Sequence, residues 1–190
     1  MKITPQSIPE VLLIEPVRRG DDRGWFSEIF RKQALAEAGF TREFIQENHA
    51  FSGARGTTRA LHFQIPPSAQ DKLVGPIRGV IVDVAVDIRH GSPTFGKHVA
   101  VELDAATGAQ LLVPKGFAHG YQTLTDDCEV LYKVSAYYDP TTERGLRWND
   151  VGIDWPITGE DVIVHPRDAA WPTLAEAEVY FRYGEVNSYL

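Results

Sequence analysis

VIVDVAVDIR, residues 80–89, is the stretch that decides how this chain folds. At period two, Val80, Val82, Val84, Val86 and Ile88 share one face, while Ile81, Asp83, Ala85, Asp87 and Arg89 share the other. Two readings stand side by side. In the first, this is a half-exposed strand whose polar face meets water. In the second, it is a barrel strand whose wholly apolar face packs against a second sheet, while Asp83 points into a ligand-holding lumen. Both make it a strand, and similar signals recur. Residues 12–17, 98–103, 110–113 and 129–134 are short runs of β-branched or large apolar side chains bounded by Gly, Pro, Asp or Asn. The best helical signal is RKQALAEA at 31–38, made of good helix formers and stopped by Gly39. A second short helix is expected at 174–177. Twelve prolines spread along the chain oppose long helices. The fold class is therefore all-β, a sandwich or barrel with a few short helices. With no internal repeat, low-complexity tract or linker, residues 1–190 read as a single domain.

Composition narrows the function. Of 190 residues, 43% are apolar and 24% charged, enough to build a core and unlike a disordered chain. Nineteen Lys and Arg stand against 26 Asp and Glu, a formal net charge of -7, which disfavours nucleic-acid polymers and anionic membrane surfaces as partners. A small anionic ligand needs only a few placed cations, so it is not excluded. Cys128 is the only cysteine, which rules out an intrachain disulfide, a Cys-rich zinc site and a CxxC redox pair. The apolar run at 11–14 is too short for a signal-peptide core or a membrane span, so the expected location is cytoplasmic.

GAQLLVPKGFAHG, residues 108–120, has the spacing Gly-x5-Pro-x-Gly-x2-His. Glycine turns the chain, a strand follows, and Pro114 and Gly116 turn it again before His119. The pattern resembles the second motif of the cupin superfamily, small barrels of two packed sheets, and implies a cupin-type double-stranded β-helix (a jelly-roll barrel). Gly56-x5-His62 resembles the start of the first cupin motif. Metal-binding cupins continue there with His-x-His and then Glu. This chain has Gln64 at the second position and no Glu at ligand spacing, a poor first-row metal site. No metal and no cofactor are expected.

Further segments sharpen the resemblance. HFQIPPSAQDKLV, DVAVDIRHGSPTFG, VPKGFAHGYQTL, Tyr132-Lys133 and YYDPTTERGLRWND are similar to the dTDP-4-dehydrorhamnose 3,5-epimerase family. So are DDRGWFSEIF, QENHAFS, IDWP and Arg167-Asp168, and together they run through nearly the whole chain in the family's order. The resemblance implies a cofactor-free homodimer acting on a dTDP-linked 4-keto-6-deoxyhexose, as in dTDP-L-rhamnose-type deoxysugar biosynthesis for cell-surface polysaccharides. A proton is taken from a carbon beside the ketone and returned on the opposite face, at carbons 3 and 5. Such a proton is weakly acidic, so the reaction needs a base, a stabiliser for the enolate oxygen and an opposed acid.

By this resemblance His62 is the base, Asp168 the carboxylate that pairs with it, Lys72 the cation near the ketone oxygen and Tyr132 the acid. Read alone, each has a plainer explanation: a core histidine, a turn or helix-cap aspartate, a surface lysine, a cross-strand tyrosine. Asp83 and His119 correspond to polar barrel residues that support the site, or equally to a structural hydrogen-bonded pair. Arg23 and Arg59 match phosphate-contacting arginines, and Arg167 is a third candidate; the guanidinium fork suits phosphate. Phe26, Glu28, Gln46, Asn48 and Tyr138 match positions that contact the base or the sugar, by stacking or by hydrogen bonds.

The sequence also departs from the family. Ala60 stands where Gly usually precedes Leu-His, adding a methyl close to the site, and GARGTTRA replaces the common Gly-Val-Leu-Arg-Gly pattern. Gly75-Pro76 follows Lys72-Leu73-Val74, which predicts a bulged or edge strand, with Arg78 offering a nearby charge. Three rivals follow: an epimerase of one carbon only, at position 3 or 5 of a related antibiotic-pathway sugar; a 3,4-ketoisomerase on the same barrel; and, from another class, a non-catalytic nucleotide-sugar-binding cupin.

Overall fold

The stretch at 80–89 is a strand as far as Asp87, and its two faces meet two different neighbours. The structure is a computed structural model that describes residues 1–185. In chain order its strands are β1 (Lys2–Pro5), β2 (Leu12–Glu15), β3 (Arg18–Asp21), β4 (Gly24–Ser27), β5 (Gln46–Ser52), β6 (Thr57–Gln64), β7 (Lys72–Arg78) and β8 (Val80–Asp87). They continue with β9 (Arg89–His90), β10 (His98–Asp104), β11 (Gln110–Val113), β12 (Phe117–Thr123), β13 (Cys128–Val134), β14 (Glu143–Gly145), β15 (Ile163–Val164) and β16 (Phe181–Arg182). The α-helices are α1 (Lys32–Glu37) and α2 (Pro166–Ala169).

One sheet runs β1-β2-β11-β7-β13-β5, and a second runs β10-β8-β12-β6-β14 with β15 beside β6. Ile81 and Ala85 of β8 point between the sheets, into a core shared with Val74, Leu111, Phe117, Tyr121 and Val130. Asp83 and Asp87 are fully buried, so no polar face meets water. The valine face is buried too, but not by a second sheet. Val82, Val84, Val86 and Ile88 pack with Leu146, Trp155 and Phe181 of the C-terminal segment, which covers the outer side. Each such buried aliphatic side chain contributes about 1.5–3 kcal/mol relative to exposure. Burial explains why Asp87 and Arg89 pair: Arg89 donates from its backbone N, Nε and Nη2 to the Asp87 carboxylate at 2.7–2.9 Å, and Ser92 and Thr94 each add a bond at 2.6 Å.

The outer face of the first sheet is covered by α1, where Leu35 and Phe40 pack on Leu12, Ile14, Leu73 and Leu112. Gly39 takes φ +95 there, letting Phe40 N donate to Leu35 O at 2.8 Å and close the helix. β7 bends as the Gly75-Pro76 pair predicts: its register with β13 shifts between Glu129 and Val130, opposite Arg78 and Pro76, and β11 pairs it only along residues 72–74. The expected helix at 174–177 is instead a single turn, in which the Glu176 carboxylate accepts from the N–H and hydroxyl of Thr173. The helix that does form nearby is α2. Proline occupies its first turn, and His165 Nδ1 accepts the Arg167 N–H at 3.1 Å.

Candidate active site

At one end of the sandwich the two sheets part around a cavity of about 960 Å³. The second sheet contributes Arg59, His62 and Gln64 from β6 and His119 from β12. The facing sheet contributes Gln46 and Asn48 from β5, Lys72 from β7 and Tyr132 from β13. Tyr138, Glu143, Arg167 and Asp168 close the rim. Alternation along the strands explains the set: His119 and His62 are register partners, as are Tyr132 and Asn48, so each pair looks into the same space.

His62 Nε2 lies 2.8 Å from Asp168 Oδ1. Burial pushes the Asp168 carboxyl up, but the hydrogen bond and charge of His62, with Arg167 and His165, outweigh it and hold the group below the usual carboxylate range. A carboxylate only accepts, so Nε2 carries the hydrogen and Nδ1 keeps a free lone pair. Behind this pair, His119 Nε2 lies 2.8 Å from Asp83 Oδ1. Burial lowers the His119 pKa despite the pull of Asp83, with Lys72 and His62 adding to the depression. Lys72 donates to the His62 carbonyl at 3.2 Å, and burial brings its pKa down to about 8 against the opposing charges of Asp83 and Glu143. Burial raises the Tyr132 pKa, and Arg59 offsets part of that, so the phenol keeps its proton at neutral pH.

Arg59 is anchored to Ser52 Oγ and to the Phe51 carbonyl. Gln46 donates to Asn48 and accepts from the Tyr138 N–H, which fixes two amides on one wall. Gln64 holds the loops instead of a ligand: its amide donates to the Ser68 and Tyr137 carbonyls, and its oxygen accepts from Asp139 N. Among the described residues, no group of three or more His, Cys, Asp or Glu side chains is arranged to hold a metal ion. Ala60 belongs to the outer core with Leu61 and is fully buried, so its methyl points away from the cavity rather than into the sugar space.

Three candidates are elsewhere. Arg23 sits on the β3–β4 hairpin, paired with Asp21; Phe26 is 73% exposed; Glu28 pairs with Arg31. None of them lines this chain's cavity. Sequence reasoning in turn passed over Glu143. Its carboxylate accepts from the Tyr138 hydroxyl at 3.0 Å and from both terminal nitrogens of Arg167 at 2.9 and 3.3 Å. The available signal was its place inside YYDPTTERG, five residues after Tyr138.

The family model described as dTDP-4-dehydrorhamnose 3,5-epimerase matches residues 5–176. A dTDP-4-dehydrorhamnose 3,5-epimerase of Sinorhizobium fredii is 47% identical over 182 residues, covering 95% of this chain and 93% of its own. Among solved structures, a dTDP-6-deoxy-D-glucose-3,5-epimerase of Legionella pneumophila in complex with dTDP-4-keto-L-rhamnose superposes with a TM-score of 0.90. It shares 40% identity over 96% of this chain and 98% of its own. A 3'-monoepimerase of Streptomyces bikiniensis in complex with dTDP-quinovose is more distant, at 34% identity and a TM-score of 0.86 over 95% and 93% of the two chains.

Proposed function

The chain belongs to the dTDP-4-dehydrorhamnose 3,5-epimerase family, and from that premise we propose how its side chains divide the reaction. The fold is the cupin-type β-barrel of the family's solved members. The activity is the isomerisation of a dTDP-4-keto-6-deoxyhexose at carbons 3 and 5. His62 Nδ1 removes the proton beside the ketone, and the C–H electron pair moves onto the ketone oxygen as an enolate. Asp168 holds the imidazole in the tautomer that leaves Nδ1 free and stabilises the charge it gains. Lys72 faces the oxygen that becomes negative. Tyr132 delivers its phenolic proton to the opposite face of the carbon, and solvent restores the phenol. Asp83 and His119 support the floor beneath Lys72.

The observation that carries this reading is the placement of His62 and Tyr132 on separate sheets that line one cavity. Mere binding of a nucleotide-sugar has no use for a base and an acid on opposed walls. Arg59 and Arg167 supply charge for the diphosphate, while Gln46, Asn48 and Tyr138 supply polar and stacking contacts for the base and sugar. A chain with net charge -7 accommodates this dianion because Arg59, Lys72 and Arg167 line the cavity.

The assembly in this reading is a homodimer in which the β3–β4 hairpin of each subunit completes the other's cavity. Its support is that Arg23, Phe26 and Glu28 are not among the residues lining their own cavity, together with exposed Trp25 (60%) and Phe51 (56%). Light scattering should give twice the chain mass, and Arg23→Ala should weaken dTDP binding; a monomer of full activity would overturn it.

The decisive experiment is turnover in heavy water, followed by NMR at the sugar. Deuterium should enter at carbons 3 and 5 in the parent. His62→Ala should abolish entry while dTDP binding survives. Deuterium at one carbon alone would make the enzyme a mono-epimerase.

A further inference from the structure

Gly145 of β14 is the register partner of His62. Opposite residues of an antiparallel pair send their side chains to the same face. A Cβ built on Gly145 would lie 2.5 Å from Cε2 and Nε1 of Trp171 and 2.6 Å from its Cδ1. Carbon atoms in contact sit about 3.5–4.0 Å apart, so the indole fills the space that a side chain at 145 would need, beside His62. The φ of Gly145 lies outside the left-handed region, so it is the close approach, not the backbone, that requires glycine.

Trp171 follows α2 by two residues. The four-residue α2 is too short to hold its place by its own hydrogen bonds. Just beyond the ring, the Pro172 carbonyl accepts the Arg147 N–H at 2.8 Å, tying the chain to the residues after β14. The indole Nε1 is buried without a hydrogen-bond partner, so close packing and the Arg167 guanidinium over the ring, rather than a hydrogen bond, seat it. Trp171 does not line the cavity.

We propose that Trp171 is a positioning residue: seated on Gly145, it holds α2 at the depth where Asp168 Oδ1 meets His62 Nε2. The inference rests on the assignment of His62 as base and adds the device that sets its partner. Trp171 reaches the base through Asp168, and it also carries the Arg167 guanidinium 5.9 Å over its ring. A wedge at Gly145 and the removal of the ring must then have the same effect on the base, although they change different elements.

The test uses Gly145→Ala and Trp171→Ala. The readouts are the downfield imidazole N–H resonance of His62 (assigned by its loss in Asp168→Asn), kcat, KM and dTDP affinity by calorimetry. In both single variants the resonance should shift or broaden and kcat should fall about 10–100-fold, as when an orienting partner is lost, with dTDP affinity unchanged in Gly145→Ala. Parent-like resonance and kcat in Gly145→Ala overturn the proposal. So does a loss of folding or of dTDP affinity in step with kcat in both single variants, which would make the contact a fold requirement. Full activity of His62→Ala would instead overturn the base assignment, while the resonance still reports whether Trp171 positions Asp168.

Discussion

Lys72 donates from Nζ to the main-chain carbonyl of His62, 3.2 Å away, so a side chain of one sheet is tethered to the strand of the other that carries the base. The tether aims the ammonium into the cavity, where burial lowers its pKa to about 8. Lys72 is cationic at neutral pH and loses its proton as pH rises through that value. kcat/KM should therefore fall on the alkaline side with an inflection near 8. Lys72→Met should remove that inflection and cost about 10²–10³ in kcat, as loss of an oxyanion stabiliser does. Stability moves the other way. The unfolded chain keeps this proton up to about its ordinary 10.5, so between the two values the unfolded state binds more protons and the Lys72 contribution to stability rises with pH. Urea titrations of parent and Lys72→Met across that interval measure the difference.

Asp168→Asn replaces an obligate acceptor by a group that also donates, so it no longer selects the tautomer with Nδ1 free. kcat should drop about 10²–10⁴-fold, the range associated with general-base assistance, while calorimetric dTDP affinity holds.

Tyr132→Phe keeps the base and removes the acid. Solvent deuterium should still enter the substrate from the His62 side, while inverted product falls about 10²–10⁴-fold. NMR of the recovered sugar separates the two events, and equal losses in both would take Tyr132 out of the acid role.

The buried Asp87 is held below the usual carboxylate range: burial pushes it up, and the bonds from Arg89, Ser92 and Thr94 more than compensate. Its stabilisation is fully present above the ordinary value of 3.8 and is lost as pH falls through the lower folded value. Asp87→Asn leaves Arg89 with Glu10 as its remaining carboxylate partner and should cost about 3–5 kcal/mol in urea unfolding at neutral pH. The variant's stability should also depend less on pH in the acid range.

A Cβ on Gly120 would lie 2.7 Å from Ala60 Cα and 2.9 Å from the Arg59 carbonyl. Gly120→Ala should destabilise by about 1–3 kcal/mol, the usual cost of overpacking. Adding Ala60→Gly should recover only part of it, because the backbone atoms stay. Thermal or urea unfolding of the parent and the two variants checks the ranking.

The strands were legible because period two and turn residues are local signals. Residues 110–113 form a strand over that span, and the pattern at 80–89 predicts β8 to within two residues. What covers the valine face of β8 was not legible, since Leu146, Trp155 and Phe181 reach it from a segment with little regular structure. α2 is too short to show a periodicity, and Gly145 reads as an ordinary turn glycine until Trp171 is seen upon it. For the site, motif resemblance named His62, Lys72, Tyr132 and Asp168 of the cavity lining but not Glu143, whereas Arg23, Phe26 and Glu28 depend on where a hairpin projects, which no local pattern encodes.

Gln64 occupies the position where metal-binding barrels of this architecture place a second histidine, and here it ties together the backbone of Ser68, Tyr137 and Asp139. Anyone redesigning this barrel as a metalloenzyme would meet that knot first. A Gln64→His exchange trades three main-chain attachments for one ligand and frees two loops at the mouth. Repurposing the scaffold therefore begins with rebuilding those loops, and only afterwards with choosing ligands.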